Sequence, residues 1–370
     1  MSSAMRYCRM PIEVESPEEL GYGNIRFNLS ESSIADQSLS SFGLEIPDLT
    51  LLYGEHRGSP GLRELVAADD ESLRVDDVLI CGGAAGALFI VATALLGNGD
   101  NLVVVRPNYA TNLETPRAIG CDISFIDLTF DDGFALDPER IELAIKPSTR
   151  LVSITCPHNP TGTSIGEAEL QRIVEITARR GVMLLVDETY RDLALTPALP
   201  IAATLGKHVV SVSSLSKAFG APGIRVGWII NTDPAIQEVF LAAKEQISIC
   251  GSIINEWVAE GILSQKRAFL TRTLTEWRRR LDRIADWVGG EELLDWVRPA
   301  GGVVCFPRMK AEPAGGTDAF YRRLLQDHGT YVGPGHWFEM PDTFFRLGYA
   351  WPTADELEGG LAGISAALRG

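Results

Sequence analysis

The sequence predicts an α/β protein in which a parallel sheet is covered by helices on both faces, followed by a smaller α+β unit. Two observations carry that prediction. Between Asp76 and Ile230, short β-branched runs that are apolar on both faces alternate with amphipathic stretches, the pattern of a buried parallel sheet. After Ile230 the texture changes to long helical stretches and then to shorter strands.

Seven strand candidates stand in order: VLIC (78–81), NLVVV (101–105), ISFIDL (123–128), RLVSIT (150–155), VMLLVD (182–187), HVVSVS (208–213) and VGWII (226–230). Helices are expected between them at 84–96, 112–119, 138–145 and 166–180, then at 234–263 and 267–287. GGVVCFPRM (301–309) and TFFRLGYA (343–350) read as the shorter strands, with a helix at each side of the second. The stretch up to about Glu45 has no clear periodicity and is expected to wrap elsewhere.

Composition narrows the function classes. A chain of 370 residues gives two domains, or one large domain with an appendage, and 45% apolar residues can bury a sizeable core. With 33 basic against 49 acidic residues and no basic block, a nucleic-acid surface is not expected. Six scattered cysteines form no CxxC pair and no metal-ligand spacing, so they read as core residues of a reducing, cytoplasmic protein. No apolar stretch follows the basic residues at the start, so no signal peptide is expected. Residues 78–97 carry no charge over a membrane-spanning length, but Gly82, Gly83 and Gly86 break them, and Asp76, Asp77 and Asp100 close them. They read as a strand, a turn and a buried helix rather than a membrane span.

Ligands of doubly wound sheets gather at the carboxyl ends of the strands, and four clusters sit at such ends. CGGAAGAL, after Cys81, leads small residues into a helix whose free amides and positive dipole end can take a phosphate; a tight structural turn reads equally well. In CPHNPTG the prolines on both sides of Asn159 fix its backbone, and a mere turn needs no asparagine there. Asp187 closes an apolar strand in VDETY, a costly place for a carboxylate unless a cation or hydrogen bonds meet it; the plainer reading is a helix cap. In SVSSLSKAFGAPGIRVGW, Lys217 lies among small and apolar residues, with Arg225 eight positions later. Desolvation and a nearby cation lower an amine's pKa and make it nucleophilic. A phosphate cradle, an anchored amide, a strand-end carboxylate and a confined lysine together match the needs of pyridoxal 5′-phosphate.

With HNPTG, VDETY and SLSKAFGAPGIRVGW in this order, the chain resembles the class I/II aminotransferases of pyridoxal-phosphate fold type I, from about Tyr53 to Tyr349. The resemblance implies a large domain, 46–275, with a mostly parallel seven-stranded sheet between helices, and a small α+β domain formed by 1–45 and 276–370. It implies that Lys217 forms the Schiff base and carries the proton, that Asp187 pairs with the pyridinium nitrogen, and that Tyr190 and Asn159 hold the phenolate oxygen. Ser214, Arg225 and the amides of Ala84 and Ala85 then bind the phosphate, and Tyr109 stacks on the ring. Arg346 clamps the substrate carboxylate, a bidentate task suited to guanidinium. Tyr53 matches a residue that reaches the neighbouring subunit's phosphate, which implies a homodimer with shared sites.

The implied reaction is transamination between an L-amino acid and a keto acid. The chain departs from many relatives at residues 28–33, NLSESS, where they carry a glycine-containing loop. Glu31 can meet a cationic substrate side chain or cap a turn, and the sequence leaves both open. His56, Arg57, His158 and His336 lie near the inferred site and read as structural or variable. GGVVCFPRM and YVGPGHWF also resemble capreomycidine-synthase-like enzymes, which cyclise hydroxylated arginine. The alternative to transamination is therefore elimination, replacement or ring closure by a lyase or cyclase with the same cofactor.

Overall fold

The computed structural model describes residues 5–195 and 198–370. The N-terminal segment holds two short helices, α1 (Pro11–Val14) and α2 (Pro17–Leu20), and a two-residue strand, β1 (Phe27–Asn28). Helix α3 (Pro60–Ala67) leads into the large sheet. Its strands are β2 (Val78–Cys81), β3 (Asn101–Arg106), β4 (Asp122–Asp127), β5 (Thr149–Thr155), β6 (Met183–Asp187), β7 (Val209–Ser214) and β8 (Gly227–Ile230). Each starts and ends within a residue of its expected position, because continuous β-branched runs bounded by polar or glycine residues leave little freedom. Between them lie α4 (Gly83–Leu95), α5 (Thr111–Ile119), α6 (Pro138–Ala144) and α7 (Glu167–Arg180).

The strand order is β2-β8-β7-β6-β5-β3-β4. Strands β3 to β7 run parallel, whereas β8 is antiparallel to both of its neighbours. The sheet is mostly parallel, as expected, and β8 is the one strand that departs from that sense. The link from β7 to β8 contains only a short 3₁₀ turn, Pro222–Ile224, and a chain without a crossover helix returns antiparallel. Apolar clusters fill both faces of the sheet: Val103, Val152 and Leu184 pack on one side, Leu102, Leu151 and Val212 on the other.

The long helix expected over 234–263 is two helices, α8 (Pro234–Ser248) and α9 (Ile253–Leu263). Ile249 adopts a left-handed φ of 53°, and the Ser252 hydroxyl accepts from the Asn255 amide to start the second helix. The apolar pattern runs through the break, so periodicity alone hides it. Helix α10 (Lys266–Gly290) then crosses to β9 (Leu294–Asp295), β10 (Val304–Cys305), β11 (Arg308–Met309), α11 (Thr317–Gln326), β12 (Thr330–Tyr331), β13 (Gly333–Pro334), β14 (Phe345–Gly348) and α12 (Ala354–Arg369).

The aperiodic N-terminal segment is placed by long-range contacts. β1 pairs in parallel with β12, and the amide of Gly348 donates to the carbonyl of Leu29 at 2.7 Å. A Cβ on Gly348 would stand 1.7 Å from the carbonyl oxygen of Glu31, so only glycine lets residues 29–31 run against the strand that carries Arg346. Among the described residues no helix is long and apolar enough to cross a membrane, and 78–97 form β2 and α4.

Candidate active site

The carboxyl ends of β5, β6 and β7 open into a cleft that the N-terminal segment and β14 also line. Every sequence-predicted site residue lines it except Tyr53. Tyr53 stands on the surface, 79% exposed.

Lys217 lies just beyond the end of β7. Its Nζ donates to the hydroxyl of Ser32 at 3.0 Å, and its carbonyl accepts from the Ile34 amide. Burial pulls the amine below its ordinary value, and the positive field of Arg346 adds to this. The lysine is confined in the cleft, half-buried among small and apolar residues.

Asp187 ends β6 and is buried. Thr189 donates to its Oδ1 twice, from the amide at 3.0 Å and from the hydroxyl at 2.6 Å. Burial raises the carboxyl's pKa while these bonds and Lys217 oppose it. Both bonds fall on one oxygen, which leaves the other for a cationic partner in the cleft. The sequence reading missed Thr189, although the spacing D-x-T is the usual one for an aspartate held by the residue two positions on.

Glycines build the cradle at the start of α4. Gly83 has a φ of +76°, and a Cβ there would stand 2.5 Å from Nη2 of Arg225. A Cβ on Gly227 would press on Ser213 O and on the Gly83–Ala84 backbone at 2.6 to 2.8 Å. These close approaches bring Arg225, Ser214 and the uncapped amides of Ala84 and Ala85 to one end of the cleft. Such a helix start with an adjacent guanidinium is an anion site.

Arg346, in the middle of β14, is 4% exposed. Its Nη2 donates to Ser30 O at 2.7 Å and its Nη1 to Asn159 Oδ1 at 3.2 Å, while its Nε has no partner. The guanidinium lies 5.1 Å from the Phe338 ring centroid. Since Asn159 spends its oxygen on Arg346, its NH₂ group is the donor open to a ligand. The Tyr190 hydroxyl donates to Ser32 O at 2.9 Å, so it must leave that carbonyl to hold a ligand oxygen. Tyr109 is half-buried, and its hydroxyl reaches Glu13 at 3.4 Å.

The sequence reading did not single out Glu13, Glu18, Ser30, Ser32 or Trp337, which complete the cleft. Four of these belong to the aperiodic N-terminal segment. His158 is buried and bonded to Thr161 at 2.8 Å, and His336 lies between Glu15 and Asp342, so neither lines the cleft. The built anion cradle and the unpartnered Arg346 Nε fit pyridoxal phosphate with an amino acid.

The family model for aminotransferase class I and II matches residues 20–364. The chain belongs to this family. Among curated relatives of the aminotransferase class I and II family, the chain is 32% identical to capreomycidine synthase of Streptomyces vinaceus over 88% of this chain and 82% of that protein. It is 28% identical to the arginine–pyruvate transaminase of Pseudomonas aeruginosa over 77% of this chain and 74% of that protein. Among solved structures, a pyridoxal-phosphate-dependent aminotransferase from Streptococcus suis superposes with a TM-score of 0.88 at 26% identity, covering 96% of each chain. The pyridoxal-phosphate-dependent cyclase OrfR superposes at 0.87 and 28%, covering 99% of each. Membership of this aminotransferase family makes the chain a pyridoxal-phosphate enzyme whose substrates are small amino and keto acids.

Proposed function

We propose that the chain transaminates an L-amino acid, with Lys217 as the residue that carries the reaction. The supporting observation is the half-buried Lys217, its amine's pKa lowered by desolvation, in one cleft with Asp187 and Arg346. Bound pyridoxal phosphate supplies an aldehyde for imine exchange and a cationic ring that withdraws electrons from the substrate's Cα.

The chain's own residues do the rest. Arg225, Ser214 and the amides of Ala84 and Ala85 hold the phosphate, and Asp187 keeps the ring nitrogen protonated. Asn159 and Tyr190 donate to the phenolate oxygen, and Tyr109 covers a ring face. Arg346 fixes the substrate carboxylate with its remaining donors. Lys217 Nζ takes the Cα proton and returns it on the cofactor side, and burial, which lowers its pKa, favours the free base for that transfer. In the test, the enzyme mixed with an amino donor accumulates pyridoxamine phosphate, and Lys217→Ala does not turn over. An active Lys217→Ala variant contradicts this reading.

A second reading is ring closure or elimination on the same residues, which the similarity to capreomycidine synthase and to OrfR favours. Release of a cyclic or eliminated product without pyridoxamine phosphate selects it.

The Tyr53 loop supports a homodimer with shared sites. Leu51, Leu52 and Tyr53 are exposed, as are Ile247, Ile249 and Ile254, and His56 ties the loop to α8 through Glu245 at 2.6 Å. Pairing of β1 with β12 supports the division into a large unit, 46–275, and a small one, 1–45 with 276–370.

A further inference from the structure

The charges of the cleft do not balance against the cofactor and a simple amino acid. Of its cations, Lys217 meets the aldehyde, Arg225 the phosphate and Arg346 the substrate carboxylate, while Asp187 meets the ring nitrogen. Three further carboxylates line the same cleft, Glu13, Glu18 and Glu31, all from the N-terminal segment. Among the described residues no lysine, arginine or histidine lies within 4.0 Å of any of them; the ion pairs of this segment use Glu15 and Glu19 instead.

Glu31 is the best held of the three. Its Oε1 accepts from Asn28 Nδ2 and from the Tyr22 hydroxyl, both at 3.3 Å. The neighbouring residues Ser30 and Ser32 touch Arg346 and Lys217, the two groups that fix the ends of a bound amino acid. Burial raises the Glu31 carboxyl's pKa; Lys217 pulls it down and Glu18 pushes it up. Glu31 is half-buried and Glu18 is exposed beside it; the two repel each other, and no cation forms a contact ion pair with either in the free protein. The Nε of Arg346, in the same cleft, has no partner; with the substrate carboxylate on Arg346, as the proposed function has it, the rest of the substrate lies beside this acidic wall.

We propose that Glu31 and Glu18 select an amino acid whose side chain ends in a cation, an ammonium or a guanidinium. This rests on the aminotransferase reading and adds the substrate class. A charge-assisted contact formed in a desolvated cleft discriminates against a neutral isostere by about tenfold to a hundredfold.

The test measures kcat/KM and the perturbation of the bound-cofactor absorption for arginine, lysine, citrulline and norleucine. It uses the holoenzyme and the Glu31→Gln and Glu18→Gln variants. Arginine or lysine is expected to exceed its neutral counterpart, citrulline or norleucine, by about tenfold or more, and comparison of the two cations separates guanidinium from ammonium recognition. That ratio is expected to collapse in Glu31→Gln, whose native cofactor absorption verifies its fold, and to shrink in exposed Glu18→Gln. Equal use of the neutral isosteres, or a ratio that survives both substitutions, overturns the proposal and leaves the aminotransferase reading standing. A cofactor spectrum that no amino acid perturbs overturns both.

Discussion

Lys217 Nζ lies 3.0 Å from the hydroxyl of Ser32, a residue 185 positions earlier in the chain. The carbonyl of the same serine accepts from Tyr190, so one residue of the N-terminal segment holds two groups of the catalytic cleft. Ser32 is thus a positioning residue for the amine. Replacing it with alanine removes one neutral hydrogen bond, about 0.5–1.5 kcal/mol, so kcat is expected to fall about twofold to tenfold. Ser32→Thr keeps the hydroxyl and is expected to recover most of the rate, with cofactor content equal in all three proteins. Full activity in Ser32→Ala shows that the contact does not position Lys217.

The anion cradle depends on backbone approach rather than on side-chain chemistry. Gly227→Ala places a methyl group against three backbone atoms at 2.6 to 2.8 Å, and overpacking of this kind costs about 1–3 kcal/mol. Thermal unfolding is expected several degrees lower, and pyridoxal phosphate is expected to bind more weakly than to wild type. Unchanged cofactor affinity in a destabilised protein would separate the cradle from the fold.

His336 links the N-terminal segment to the C-terminal part, with Nε2 2.9 Å from Glu15 and Nδ1 2.9 Å from Asp342. Burial pulls the imidazole down, but Glu15 and Asp342 outweigh this and hold it above its ordinary 6.5. A raised folded pKa contributes stability that is complete below the unfolded value and is lost as pH rises through the folded one. The wild type is therefore expected to exceed His336→Asn in thermal midpoint near pH 5.5. That gap should narrow toward pH 8.5. The groups are partly exposed, so the gain is modest, about 0.5 kcal/mol per pair. A gap that is constant across pH would mean that His336 acts through packing alone.

The exposed loop at Leu51–Tyr53 predicts self-association. Sedimentation is expected to give a homodimer for the wild type, and the double substitution Leu51→Asp and Leu52→Asp is expected to give monomers with lower activity. A fully active monomer contradicts the shared site.

The seven strands of the sheet were legible because uninterrupted apolar β-branched runs have few alternatives, and the residues at their carboxyl ends placed most of the cleft. The antiparallel sense of β8 was not, since it follows from the loop before it rather than from its own residues. The N-terminal wall of the cleft was the least legible part. Glu13 and Ser32 have no local period, and they meet Tyr109 and Lys217, both distant in sequence, while residues 29–31 run against the strand around Gly348. Glu31 was noticed as a departure, but its unpaired state is visible only in three dimensions.

The most direct measurement is borohydride reduction of the holoenzyme followed by peptide mass mapping. A single reduced pyridoxyl adduct is expected, on Lys217. An adduct on another lysine, or none on a protein that has bound pyridoxal phosphate, would contradict it.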